Sequence, residues 1–140
     1  WPGKEHVLMY VDVLKADAVE SEILTGEKDI KIAAQKLSEL GPDEVLITHQ
    51  NGVLLYANNN YYEAKFYPEK LVGRSGRGDT CIAAYMARRL MAPPPQAIVW
   101  AAAITSLKME NEGPFQKSLS EVEELLKNKY YSMNQLKEET

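Results

Sequence analysis

The 140-residue sequence lacks most of the features that assign a protein to a class at first sight. Its single cysteine, Cys81, cannot form an internal disulfide, which fits a reducing, cytosolic compartment and a small buried thiol. The longest apolar run, residues 97–104, is far too short to cross a bilayer. With 16 basic against 20 acidic residues, the net charge of −4 argues against a nucleic-acid-binding surface. Repeats and low-complexity tracts are also absent, so the composition predicts one globular domain with a real core.

The sequence does contain alternating strand and helix patterns. Short β-branched runs predict buried strands, apolar residues at helical spacing predict amphipathic helices, and Asn58-Asn59-Asn60 predicts a hairpin turn. Ser120 and Glu123 have the spacing of a capping box at the start of the last helix. The alternation predicts an α/β layered fold, in which ligands bind at the carboxyl ends of strands. We predict strands over 6–13, 44–48, 52–57 and 61–67, and helices over 17–24, 29–40, 79–91, 96–107 and 120–129.

The stretch at residues 73–80, Gly-Arg-Ser-Gly-Arg-Gly-Asp-Thr, is the most informative part of the chain. Gly76 and Gly78 allow a tight turn and a close approach of backbone N–H groups to a ligand. Asp79 follows at once and opens a helical pattern, whose first turn adds partial positive charge. Together these features predict an anion site with a carboxylate at its edge, which is what phosphoryl transfer to a hydroxyl requires.

Two other interpretations of this stretch stay open. A loop of this composition before a helix is also typical of an ordinary turn with Asp79 as the N-cap. The tripeptide Arg77-Gly78-Asp79 also occurs in integrin ligands, but an adhesion role requires an exposed loop tip in a secreted protein.

Two further polar clusters follow predicted strands. Asp17-Ala18-Val19-Glu20 comes after the first strand, and residues 48–52, Thr-His-Gln-Asn-Gly, come after the second. Their position predicts that they join the glycine-rich stretch at one edge of the sheet. The residues alone favour Asp17 and Glu20 as an N-cap and a first-turn acid, and His49 as an exposed loop residue.

In this order and spacing, the motifs resemble those of the PfkB-type, or ribokinase-like, carbohydrate kinases. Residues 17–20 followed by Leu24-Thr25-Gly26 are similar to the family's Asn-x-x-Glu motif and the Leu-Thr-Gly after it. Residues 76–80 stand where the family has its closing Gly-Ala-Gly-Asp signature. The resemblance extends over about residues 11–115 and implies the C-terminal part of a three-layer α/β/α ribokinase-like fold with a β-hairpin.

The resemblance implies ATP-dependent phosphoryl transfer to a hydroxyl of a sugar or sugar-like substrate, or of a nucleoside, in the cytoplasm. Asp79 would be the general base, and Glu20 would hold Mg²⁺ through water. The other implied roles are an anion hole at Gly76, Arg77 and Gly78, phosphate contacts at Asp17 and Gly78, a nucleotide loop at Thr48 and Gly52, and a base pocket at Ala102 and Ser106.

Three departures from the family pattern bear on the phosphate donor. Asp17 replaces an asparagine, and a carboxylate there repels phosphate unless a metal ion intervenes. Gln50 replaces a glycine of the nucleotide loop, and Arg77 replaces a small alanine of the anion loop. These changes bear on nucleotide affinity and on the identity of the phosphate donor more than on the role of Asp79 as the general base.

The sequence begins without methionine and enters a strand almost at once. The family's sugar-binding residues and lid belong to an N-terminal part that this sequence does not contain. We therefore expect either a longer parent protein or a homo-oligomer that covers the open edge of the sheet. The alternative function is that of a catalytically incomplete fragment that binds nucleotide or only assembles.

Overall fold

The computed structural model describes residues 12–68, 77–110 and 118–131. The chain divides into two compact units, residues 1–65 and residues 66–140. Within the described residues, every helix is too short or too polar to cross a membrane.

The first unit contains a four-stranded mixed sheet with the spatial order β1-β2-β3-β4. Strand β1 (Val13–Asp17) pairs in parallel with β2 (Glu44–His49). Strand β3 (Gly52–Ala57) pairs antiparallel with β2 on one side and with β4 (Asn60–Lys65) on the other. A parallel pair needs a helical crossover, whereas each antiparallel pair closes through a short turn.

Helices α1 (Ala18–Thr25) and α2 (Ile30–Glu39) form the crossover between β1 and β2. Helix α1 ends at Gly26, whose φ of 76° is the left-handed conformation that favours glycine. The Asp29 carboxylate caps α2 by accepting the N–H of Lys31 at 2.9 Å. Helix α2 packs its apolar side on one face of the sheet; the buried cluster consists of Ala33, Ala34, Leu37, Val45, Ile47, Leu54 and Tyr56.

Two tight turns join the antiparallel strands. Asn58 and Asn59 have φ values of 53° and 64°, so the asparagine hairpin is confirmed with the left-handed backbone that asparagine tolerates. The second turn, at residues 50–51, joins β2 to β3 directly, with His49 opposite Gly52. A Cβ placed on Gly52 would lie against the carbonyl oxygen of Ala64 on β4, so this position requires glycine.

The elements described in the second unit are helices. Helix α3 (Arg77–Arg89) is followed by α4 (Pro94–Met109), which begins with prolines at its first positions. Helix α5 (Leu119–Leu125) continues into a π-helix at Leu126–Tyr131. Cys81 is completely buried, as the sequence predicts.

Several predicted boundaries differ from the observed ones. The first predicted strand, residues 6–13, shares only Val13 with β1, which spans Val13–Asp17; residues 6–11 lie outside the described residues, and Asp12 is a bend. Residues 13–17 form a strand because they pair one by one with residues 44–48. The fourth strand ends at Lys65 rather than at Tyr67.

The predicted capping box at Ser120 and Glu123 is wrong. The cap of α5 is Ser118, whose Oγ accepts the N–H of Glu121 at 3.3 Å. Ser118 and Ser120 each have a glutamate three residues later. In the structure Ser118 is the cap, so the helix begins at Leu119.

Tyr130 connects the π-helix to α4. Its side chain is 5% exposed, and its hydroxyl lies 3.2 Å from Ser106 Oγ. Its ring meets the ring of Tyr67 edge-on, with 5.2 Å between the centroids. Burial raises the pKa of the Tyr130 hydroxyl above its ordinary value of 10.0, because the charged phenolate would lose its hydration.

We predict that Gly52→Ala lowers the free energy of unfolding by about 1–3 kcal/mol, because the added methyl group forces β3 and β4 apart. Urea denaturation measures this loss. Asn51→Ala is the control, since Asn51 is exposed in the adjacent turn and should change stability by less than about 0.5 kcal/mol. Equal stability of Gly52→Ala and the parent would show that the strands separate without cost.

We also predict that Tyr130 makes the protein sensitive to alkali. The folded pKa lies above the unfolded one, so the contribution of Tyr130 is complete below pH 10.0 and is lost as the pH rises further. Above that pH, the free energy of unfolding should fall less steeply in Tyr130→Phe than in the parent. The two slopes should differ by up to about 1.4 kcal/mol per pH unit. Urea denaturation across pH 8–11 compares the slopes, and identical slopes would contradict the prediction.

Candidate functional site

The carboxyl ends of β1 and β2 meet at one edge of the sheet. Asp17, the last residue of β1, lies opposite Thr48 in the parallel register. The sequence prediction that the polar clusters at residues 17–20 and 48–52 share an edge is therefore confirmed. Both clusters belong to the first unit, whereas residues 73–80 belong to the second, so the meeting of the glycine-rich stretch with these clusters stays a prediction.

Asp17 and Glu20 form a reciprocal capping box at the start of α1. The Asp17 carboxylate accepts the N–H of Glu20 at 2.7 Å, and the Glu20 carboxylate accepts the N–H of Asp17 at 3.0 Å. The capping role considered from the sequence is thus present. It fixes the direction of both carboxylates at the strand end.

The Glu20 side chain remains accessible despite these bonds. It is 57% exposed, and its Oε1 lies 4.0 Å from Nζ of Lys15. Magnesium keeps most of its water and binds through one or two carboxylates, so an accessible, oriented glutamate fits it. Among the described residues, no group of three or more His, Cys, Asp or Glu side chains converges as a protein-only metal cage would require.

Thr48 and Gly52 bound the tight turn rather than an open loop. Thr48 is buried, Gly52 is buried against β4, and the Asn51 N–H donates to His49 Nδ1 at 3.3 Å. Gln50 is exposed at the tip. The nucleotide-loop role of Thr48 and Gly52 stays a prediction, and Gly52 has a separate structural reason to be glycine.

Asp79 lies in the first turn of α3, with its side chain exposed and Gly78 half-buried beside it. Because Asp79 is helical, the interpretation of Asp79 as an N-cap is wrong. Arg77-Gly78-Asp79 belongs to this turn, not to a loop tip. Gly76 and the side chain of Arg77 lie outside the described residues. Backbone N–H groups at a helix start have no partner inside the helix, so this turn presents donors beside a carboxylate.

Ala102 and Ser106 lie on α4 and are completely buried. The Ser106 hydroxyl donates to the Ala102 carbonyl at 2.7 Å and accepts the N–H of Tyr67 at 2.9 Å. Tyr130 contacts the same oxygen. These three partners of the Ser106 hydroxyl all belong to this chain, and the base-pocket role of Ala102 and Ser106 stays a prediction.

Sequence reasoning missed Lys15, Tyr67 and Tyr130 at these places. A lysine between Leu14 and Ala16 in an apolar strand is a local signal for a polar role at the strand end. Tyr67 and Tyr130 had no such signal, because they reach Ser106 from 39 and 24 residues away.

A comparison with protein families matches residues 2–120 to the pfkB family carbohydrate kinases. Among curated proteins, the chain is 34% identical over 90 residues to a hydroxymethylpyrimidine/phosphomethylpyrimidine kinase from Aquifex aeolicus. That alignment covers 56% of this chain and 34% of the relative.

Solved structures give longer matches. A pyrophosphate-dependent kinase of the ribokinase family, complexed with a pyrophosphate analogue and myo-inositol, is 37% identical with a TM-score of 0.80. A putative ribokinase II from E. coli, in complex with ATP and Mg²⁺, is 25% identical with a TM-score of 0.77. Both cover 89% of this chain, but 45% and 42% of their own length, so the chain spans less than half of these relatives.

These likenesses confirm the α/β fold that the strand and helix order predicts and the ribokinase-like fold that the family resemblance implies. The family match extends from before β1 to the start of α5 and includes all the motifs on which the resemblance rests. The chain belongs to the pfkB family of carbohydrate kinases.

Proposed function

We propose that the protein containing this chain transfers a phosphoryl group from a phosphoanhydride donor to a hydroxyl of a sugar or sugar-like molecule. The observation that carries this proposal is that Gly78 and the exposed Asp79 lie in the first turn of α3, where backbone N–H groups have no partner inside the helix. The family match supports the same chemistry.

Each part of this turn has a role in the transfer. The substrate oxygen attacks the terminal phosphorus as the anhydride bond breaks, and the hydroxyl proton passes to the Asp79 carboxylate. The backbone N–H groups of Arg77, Gly78 and Asp79, with Gly76 before them, stabilise the charge on the transferred group. An exposed carboxylate beside fixed donors therefore serves both needs.

ATP with Mg²⁺ is the donor that the sequence resemblance implies, and the E. coli relative binds both. Glu20 would hold the hydrated ion, with Asp17 beside it toward the phosphates. Magnesium supplies positive charge that offsets the charge of the donor phosphates. Thr48 and Gly52 would line the nucleotide loop, with Ala102 and Ser106 near the base. Pyrophosphate is the second donor candidate, because the relative that depends on it is 37% identical to this chain.

The acceptor belongs to the class of polyhydroxylated or hydroxymethyl compounds. One relative was solved with myo-inositol, and another is named for hydroxymethylpyrimidine. We propose that residues 1–140 are the C-terminal, donor-binding part of a cytoplasmic kinase. The substrate-binding part then comes from the rest of a longer protein or from a second copy of the chain.

A second candidate is a catalytically incomplete fragment that binds the donor or only assembles. The observation in its favour is that the chain spans 45% of its pyrophosphate-dependent relative. Titration with each donor, followed by an assay of transfer, separates the two, because the fragment binds without turnover.

We predict that Asp79→Asn lowers kcat about 10²- to 10⁴-fold, because the proton acceptor is lost. Donor affinity, measured by calorimetry, should stay close to that of the parent. Glu123→Gln is the matched control, since it neutralises an exposed carboxylate on α5 and should leave kcat unchanged. Retention of the full rate by Asp79→Asn would remove Asp79 as the base.

We predict different effects for the two carboxylates of the capping box. Glu20→Gln should raise the Mg²⁺ concentration for half-maximal rate about 10- to 100-fold. Asp17→Asn keeps an N-cap acceptor, so thermal stability should hold, whereas Asp17→Ala should cost about 1 kcal/mol. An unchanged Mg²⁺ requirement in Glu20→Gln would leave Glu20 with the capping role alone.

A further inference from the structure

Ser106 has no hydrogen-bonding capacity left for a ligand. A serine hydroxyl has one hydrogen and two acceptor sites. The hydrogen goes to the Ala102 carbonyl at 2.7 Å, and one acceptor site takes the N–H of Tyr67 at 2.9 Å. Tyr130, whose hydroxyl is 3.2 Å away, must then donate to the second site. All three partners belong to this chain.

Aromatic rings of the chain also fill the space beside this hydroxyl. Tyr130 is 5% exposed, and its ring packs edge-on against Tyr67. Leu107, the residue after Ser106, is buried as well. A nucleotide base could bond to the Ser106 hydroxyl only after Tyr130 had left it, and such a buried ring carries much of the local packing energy.

The neighbouring cavity does not provide an alternative place for a nucleotide. Its volume is about 240 Å³, below the range of about 300–1,000 Å³ that is usual for ligand sites. Glu110, Glu121 and Glu124 line it, against one lysine, Lys129. Three carboxylates with one ammonium group repel the phosphates of a nucleotide.

We infer that the phosphoryl donor carries no nucleoside and is pyrophosphate. This inference rests on the proposed function, and within it selects the donor. The substrate oxygen attacks one phosphorus of pyrophosphate, the P–O–P bond breaks, and inorganic phosphate leaves with the electron pair while Asp79 takes the proton. The helix start needs only phosphate oxygens to act, and no step uses a base or a ribose. The greater identity to the pyrophosphate-dependent relative, 37% against 25% for the ATP-bound one, agrees with this choice.

A donor panel on the full-length protein tests the inference. Transfer to myo-inositol, ribose and hydroxymethylpyrimidine is measured with pyrophosphate, tripolyphosphate, ATP and GTP at the same Mg²⁺ concentration. We expect kcat/KM for pyrophosphate to exceed that for ATP at least about a hundredfold. Equal or better use of ATP would overturn the inference and leave the kinase proposal intact. Turnover with none of the donors would overturn both.

Inhibitors give a second readout that does not depend on the acceptor. Methylenediphosphonate, which has no bond to break, should compete with the donor, whereas adenosine and AMP should not. Competition by AMP would show that a base-binding surface exists and would overturn the inference.

Variants of Tyr130 test whether its ring is what keeps a nucleotide base away from Ser106. Tyr130→Ala removes the ring and should shift the donor preference at least about tenfold toward ATP, whereas Tyr130→Phe keeps the ring and the preference. The pyrophosphate-dependent rate of each preparation shows whether the variant folds. A folded Tyr130→Ala protein with the preference of the parent would show that the ring does not exclude the base. The donor panel on the parent decides the inference if this variant does not fold.

Discussion

The paired hydrogen bonds between Asp17 and Glu20 are the constraint on which the polar edge of the sheet depends. Asp17 ends β1, lies opposite Thr48 in the register and caps α1. A slip of one residue in the pairing would turn every side chain of β1 to the other face and move Asp17 away from its position opposite Thr48. Asp17 therefore satisfies both the local requirement for a helix cap and the long-range pairing of β1 with β2. That agreement fixes where the Glu20 carboxylate can point.

Sequence reasoning succeeds where the chemistry is local. Asn58 and Asn59 predict a left-handed turn because asparagine tolerates that backbone, and Asp29 predicts the start of α2 because its carboxylate reaches the free N–H groups. It fails where two local signals compete or where a partner decides. Ser118 and Ser120 both have a glutamate three residues later, and no local rule separates them. Strand β1 extends to Asp17 only because β2 lies beside it.

In the candidate site, too, some features follow from the local sequence and others depend on distant partners. The order of the motifs predicts the family, and it places Asp79 on the first turn of a helix, as observed. The environment of Ser106 could not be predicted, because its hydroxyl is occupied from residues that are far away in the sequence. Gly52 shows a further limit. A glycine that matches a nucleotide loop is required here by the backbone of β4, so a motif can persist for a reason unrelated to the ligand.

A donor without a base changes how the binding energy must be distributed. ATP can be held by stacking and hydrogen bonds to its base, whereas pyrophosphate offers only charged oxygens. The protein then depends on charge-assisted contacts, which are shorter and stronger than neutral ones. The sequence has an arginine at position 77, where the family's signature has alanine, and a guanidinium group matches two phosphate oxygens at once. Asp17 in place of asparagine fits the same logic, because an added carboxylate beside Glu20 attracts the magnesium ion that an all-phosphate donor needs. The departures from the family pattern at Asp17 and Arg77 therefore agree with the donor that we infer.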